Sequence, residues 1–221
     1  MFQDKTIRYF GEPGPMNTEA LIEAVKQRIT ELRIRFAVVA SDGGGTALQV
    51  AEALTGMAVK VVCVTAYAGV RLAWPENGKW PSITGEVRGK LEELGVKIVE
   101  ETPWIFKGVT FDAQFLKRSA PSWIIHEFVC RTMGYGFKTS LEAALIAAEA
   151  GAVPLDEEVA AVAGTGWLGG GADCAVIVRP SVVPKMTDVE AGLEVREIIA
   201  MPRVKFTPEL INKIRDAKET V

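Results

Sequence analysis

Residues 36–65 read FAVVASDGGGTALQVAEALTGMAVKVVCVT. Two short apolar runs, 36–40 and 59–65, stand at either end of this stretch, rich in β-branched residues and without polar alternation. Strands buried on both faces have that composition, and such strands belong to parallel sheets covered on both sides by helices. Between them, 41–45 is a glycine turn, and Ala47, Val50, Ala51 and Leu54 share one face of a small-residue helix. The unit is strand, helix, strand, and it predicts an α/β fold.

The same alternation continues outward. Upstream, Asn17 and Thr18 offer a helix cap, Glu19 suits a first turn, and Leu21, Val25, Ile29 and Leu32 recur at helical spacing. Downstream, 66–81 contains Trp74, Pro75, Asn77, Gly78, Trp80 and Pro81 and reads as a long loop. Ile83, Val87, Leu91 and Leu94 mark a third helix, closed by Gly95 before a strand at 96–99. An irregular stretch, 100–120, precedes helices near 121–133 and 140–150, the second closed by Gly151 and Pro154. Apolar strands at 159–163 and 175–178 flank a second glycine-rich segment, and 193–201 reads as a last strand. Thr207, Pro208 and Glu209 open a C-terminal helix with Leu210, Ile211 and Ile214 on its apolar side. The expectation is a three-layer α/β/α domain over 1–203 with a mostly parallel sheet. Its strand order is about 3-2-1-4-5 plus a further edge strand, and 204–221 forms a helical appendage packed on the body or on another subunit.

Composition narrows the partners. The 221 residues are 48% hydrophobic and 24% charged with a net charge of −3, which fits a globular chain and predicts neither nucleic acid nor an anionic membrane as partner. No apolar run reaches the roughly 18 residues of a membrane span, and residues 1–10 lack the apolar core of a signal peptide. Cys63, Cys130 and Cys174 are odd in number, far apart and set in apolar stretches, which predicts reduced thiols and a cytoplasmic protein.

Two segments carry the chemistry. The first is Ser41, Asp42, Gly43, Gly44, Gly45 and Thr46, between a strand and a helix. Glycines there admit close backbone approach, and the helix N-terminus beyond presents unpaired N–H groups with partial positive charge, so an anion can be held without a basic side chain. Ser41 and Thr46 add hydroxyl donors, and Thr65 ends the neighbouring strand. The competing account is that Ser41 or Asp42 only caps the helix around a tight turn. The second segment is Gly164, Thr165, Gly166, Trp167, Leu168, Gly169, Gly170 and Gly171. It matches G-x-G-x-x-G by letter, but Asp173 leads into a strand where a dinucleotide fingerprint must open a helix, so the fingerprint is refuted. Trp167 is positioned to stack on a ligand ring or to plug the core. Both loops leave the carboxyl ends of strands. With the order above, their strands are neighbours at the point where the winding reverses, the usual ligand crevice of such sheets.

FAVVASDGGGTALQVAEAL, VKVVCVTAYAG and VAAVAGTGWLGGGADCAVIVRP, in that order and spacing, resemble the C-terminal α/β domain of pyruvate kinase. The opening YFGEPGPMNTEALIEAV and the closing EVREIIAMPR make the chain most similar to free-standing relatives of that domain, over about residues 9–203. The resemblance implies that the loop at 41–46 holds a ligand phosphate and that the loop at 164–171 closes over it. It implies no pyruvate kinase activity, because the catalytic barrel is absent from the matched region. Asp42 and three glycines replace a more basic loop, which disfavours a sugar bisphosphate, since Asp42 repels a second negative charge. For the free-standing relatives the resemblance implies flavin mononucleotide (FMN), with one phosphate, a ribityl chain and a flat ring.

Other constellations are weaker. His126 and Cys130 lie four apart on a helix, but two ligands without a third make no metal site, and no base–orienter pair accompanies a Cys nucleophile. No Gly-Lys-Ser/Thr sequence supports a P-loop. Lys107, Lys117 and Arg118 read as solvated charges that could reach a ligand phosphate, and Arg179, ending a strand, is a further candidate. The expected function is therefore binding of a phosphorylated small molecule, FMN first, by a binding protein or a flavin-dependent enzyme. The alternatives are a non-catalytic sensor of a metabolite such as a sugar phosphate, and an assembly role for the C-terminal helix in a homo-oligomer. No general acid, base or nucleophile is identified.

Overall fold

The computed structural model describes residues 4–66, 82–100, 105 and 121–219. All but the first residue of the loop expected at 66–81 and most of the irregular stretch at 100–120, with Lys107, Lys117 and Arg118, lie outside the described residues.

Seven strands form one sheet: β1 (Arg8–Phe10), β2 (Phe36–Ala40), β3 (Lys60–Val64), β4 (Lys97–Val99), β5 (Val159–Ala163), β6 (Cys174–Arg179) and β7 (Glu194–Pro202). Their spatial order is β1-β7-β6-β5-β2-β3-β4. All pairings are parallel except those that β6 makes with β5 and β7, so six strands run one way and β6 opposes them. The last long strand, expected at the sheet edge, is internal. Beyond β7 lies β1, a three-residue strand too short to leave a periodic signal, paired through Arg8 with Ala200 and Phe10 with Pro202.

Among the described residues the long helices are α1 (Thr18–Leu32), α2 (Gly45–Ala53), α3 (Gly85–Glu93), α4 (Pro121–Met133), α5 (Tyr135–Glu149) and α6 (Pro208–Glu219). Alternation along the strands divides the core in two. Ala37 and Val39 of β2, Val61 and Cys63 of β3, and Ala160 and Val162 of β5 pack with Leu21, Val25 and Ile29 of α1 and Val50 of α2. Val38, Val62, Val64 and Ala161 face the other way, onto Phe137, Ala143, Ala144 and Ala147 of α5. This is the covered sheet that a run without polar alternation requires. Among the described residues, no helix is long and apolar enough to cross a membrane.

Two local expectations are corrected. Asn17 does not cap α1 with its side chain. A single 3-10 turn, Pro15–Asn17, leads into the helix, and the Asn17 amide donates instead to the Glu12 carbonyl at 2.9 Å. Helix α5 begins at Tyr135, not near 140. Gly136 and the Thr139-Ser140 pair weaken the helical signal there. Packing overrides it, because a Cβ on Gly136 would stand 2.3 Å from Asp173 Oδ1 and 2.9 Å from Cys174 Cβ. Helix α6 starts as expected, with Thr207 Oγ1 accepting from Leu210 N at 3.3 Å, and it lies against the turn Gly166–Leu168.

Candidate functional site

Strands β2 and β5 are parallel neighbours, in register from Ala37 with Ala160 to Val39 with Val162. Both end one residue later, at Ala40 and Ala163, so the two glycine segments leave the same edge of the sheet from adjacent strands. From β2 the chain winds outward to β3 and β4, then returns to β5 on the other side of β2. The winding direction therefore reverses between these two strands.

The first loop is tied to β3. Ser41 N donates to Val64 O at 2.9 Å, Gly44 N closes a turn on Ser41 O at 3.2 Å, and the Thr65 hydroxyl donates to Asp42 O at 2.8 Å. Gly44 adopts a left-handed φ of 81°, and a Cβ there would stand 2.6 Å from Val87 Cγ1, with Ile83 and Leu91 close by. Gly44 is therefore required by the packing of α3. Gly45, the first residue of α2, is different: it is exposed, and a Cβ there would meet nothing within 4 Å. The helix cap falls on Gly44, which has no side chain to offer. Among the described residues no side chain bonds the first-turn amides of Gly45, Thr46 and Ala47. At this positive end of the helix dipole Gly45 is exposed and Thr46 half-buried, while Ala47 is fully buried. Neither Ser41 nor Asp42 is the cap.

Charged groups flank this turn. Thr65 N donates to Val99 O at 3.1 Å, which brings the next residue, Glu100, alongside. Glu100 pairs with Arg88 of α3, Oε2 to guanidinium, at 2.8 Å. Beneath them Cys63 is fully buried, its Sγ 3.7 Å from Ser41 O. Burial foremost, then the Asp42 charge, pushes this thiol up to about 12 against the opposing Arg88 charge. Cys63 is a protonated core thiol, not a nucleophile.

The second loop is tied elsewhere. It joins β5 to the antiparallel β6, and Asp173, fully buried, organises it. Asp173 Oδ2 accepts from Gly14 N and Thr165 N, both at 3.1 Å. Burial raises its carboxyl to about 6 against the pull of those hydrogen bonds and of the Lys205 charge. Ala172 N donates to Thr18 Oγ1 at 2.9 Å. A Cβ on Gly171 would lie 2.6 Å from Pro15 Cα, and one on Gly164 would lie 2.3 Å from Gly171 O. Trp167 meets Tyr135 edge-on, ring centroids 6.4 Å apart. Tyr135 also contacts Phe206, at 5.9 Å between centroids, and the Arg131 guanidinium lies 4.3 Å over that ring. Trp167 nonetheless remains 43% exposed.

The structure thus groups Ser41, Asp42, Gly43, Gly44, Gly45, Thr46 and Thr65 at the ends of β2 and β3, with Gly164 and Thr165 next to them at the end of β5. It draws Gly166, Trp167 and Gly171 aside, toward α1, α5 and α6. Arg179 lies at the opposite edge, because β6 runs against its neighbours, and it is occupied by Glu194 at 3.4 Å and the Gly192 carbonyl at 3.2 Å. His126 and Cys130 do adjoin, Nε2 to Sγ at 3.7 Å. Sequence reasoning missed Arg88 with Glu100, the structural part of Asp173, and a buried ion pair on α5. In that pair Lys138 Nζ lies 2.8 Å from Glu142 Oε2, with the side chains 3% and 0% exposed. Lysine and glutamate four apart in an otherwise small and apolar helix are a visible signal, but i,i+4 pairs usually read as a solvated face.

No protein-family model matches the chain.

Proposed function

We propose that this protein binds a phosphate-bearing small molecule, FMN, at the edge where β2 and β5 end. One observation carries the reading: α2 begins without a side-chain cap at an exposed Gly45, where a Cβ would meet nothing within 4 Å. A monophosphate suits this end of the helix, since backbone N–H groups and the dipole both favour an anion there. The amides of Gly45 and Thr46 would donate to it, with the Thr46 hydroxyl adding a third bond. Thr65 would keep the turn in shape through Asp42 O. The flavin ring would extend past Gly164 and Thr165 at the end of β5 toward Trp167, which is 43% exposed. When bound, FMN would supply electron and hydride transfer; the side chains named here bind and orient it. The reading includes kinship with the pyruvate kinase C-terminal domain in its free-standing form, on the motifs quoted above, and it makes this domain a ligand-binding one.

Titration calorimetry of the purified protein with FMN is expected to give saturable one-site binding, accompanied by quenching of tryptophan emission that is reduced in Trp167→Phe. No heat and no quenching up to millimolar FMN would remove the proposal. A thermal-shift series with sugar phosphates run in parallel distinguishes the sensor reading, because a ligand that binds only the folded state raises its melting temperature.

A further inference from the structure

We infer that Arg88 is the side chain that receives the ligand's anionic group beside the loop at 41–46, with Glu100 as its counter-ion in the free protein. The inference rests on the proposed binding of a phosphorylated molecule at that loop. Helix α3 is seated directly on the loop, since Val87 is the residue that a Cβ on Gly44 would strike. Arg88 is the next residue, 31% exposed, on a helix anchored by the Thr84 hydroxyl, which accepts from Val87 N at 3.3 Å. Its partner Glu100 follows Val99, whose carbonyl accepts from Thr65 N at 3.1 Å, and the Thr65 hydroxyl donates to Asp42 O at 2.8 Å, so the Arg88–Glu100 pair stands beside the loop. Helices α2 and α3 also pack against each other.

The pairing of Arg88 fits this role. Glu100 holds the guanidinium by a single 2.8 Å contact, with the two side chains 31% and 21% exposed, so solvent still reaches the pair. A phosphate offers three oxygens to a planar fork of donors and forms a stronger, two-pronged contact. Arg88 would then exchange one anion for another instead of stripping water from an unpaired cation. The loop at 41–46 has no basic residue of its own. Arg88, arriving from another helix, would supply the positive charge that Asp42 otherwise offsets.

FMN and riboflavin serve as paired probes, because they differ only in the phosphate. Arg88→Gln is expected to weaken FMN binding roughly ten- to a hundred-fold, the usual cost of a lost charged contact, and to leave riboflavin affinity within about twofold. Glu100→Gln is expected to tighten FMN binding severalfold by removing the competing anion. Wild-type protein that binds neither flavin overturns the parent reading. Wild-type protein that binds FMN, with Arg88→Gln binding it equally well, overturns the assignment of Arg88 alone. Equal weakening of both flavins in Arg88→Gln also overturns it, since that would be loss of shape and not of phosphate recognition. If Arg88→Gln does not fold, Arg88→Lys decides. It is expected to weaken FMN by about three- to ten-fold through loss of the planar fork, and unchanged FMN affinity would reject the inference.

Discussion

Adjacent glycines in one turn serve opposite purposes. Gly44 is held at a φ of 81° with Val87 against it, whereas Gly45 begins α2 with empty space beside it. Gly44→Ala is expected to cost roughly 2–4 kcal/mol through left-handed strain and overpacking. Gly45→Ala is expected to gain roughly 0.5–1 kcal/mol from helix propensity while weakening FMN binding, because its methyl enters the space assigned to the phosphate. Urea melts and calorimetry on the two variants check both statements, and equal destabilisation by the two would reject the division. The SDGGGT letters announced a tight turn before a helix, and that much was legible. Which glycine serves the fold and which faces outward depended on α3, whose residues lie some forty positions downstream.

At the scale of elements, α5 is the least expected. Its Ala143, Ala144, Ala147 and Ala148 let it approach the small residues of β5, so nearly every side of the helix is buried. Lys138 and Glu142 are enclosed with it, at 3% and 0% exposure. Taking one partner from a buried pair leaves a charge in a poor solvent, a loss of about 3–5 kcal/mol. Glu142→Ala is therefore expected to lower stability by that amount. Arg35 and Glu157, an ion pair whose arginine is 66% exposed, offer the control, and Glu157→Ala should cost about 1 kcal/mol or less. Matching losses in chemical denaturation would show that Lys138 and Glu142 are solvated after all. The start of α5 was misread for a related reason. Glycine at 136 argues against helix by propensity, yet only glycine fits beside Asp173.

Across the whole molecule, Asp173 joins the approach to α1, the second loop and the head of β6. Its carboxyl titrates near 6 in the folded protein against an ordinary 3.8. The folded state thus holds the proton more tightly than the unfolded one, and the associated stability is complete below about 3.8 and lost as pH rises through 6. That span corresponds to about 3 kcal/mol. Relative to Asp173→Asn, wild-type protein is expected to gain that stability as pH falls from 8 to 4, measured by denaturant midpoints at each pH. A difference that stays flat over this range would mean that Asp173 ionises normally. The apolar runs, the helical spacings and the glycine segments follow from the chain's own order of residues, because they depend on neighbours two to four positions apart. From these came the α/β class, six of the seven strands, and the two loops at strand ends. Tertiary structure alone decided the rest. It placed β1 outside β7, turned Arg179 to the far edge, drew Trp167 toward Tyr135 and set Arg88 beside the first loop. Each of these contacts joins residues distant along the chain, so no local pattern could encode which would meet.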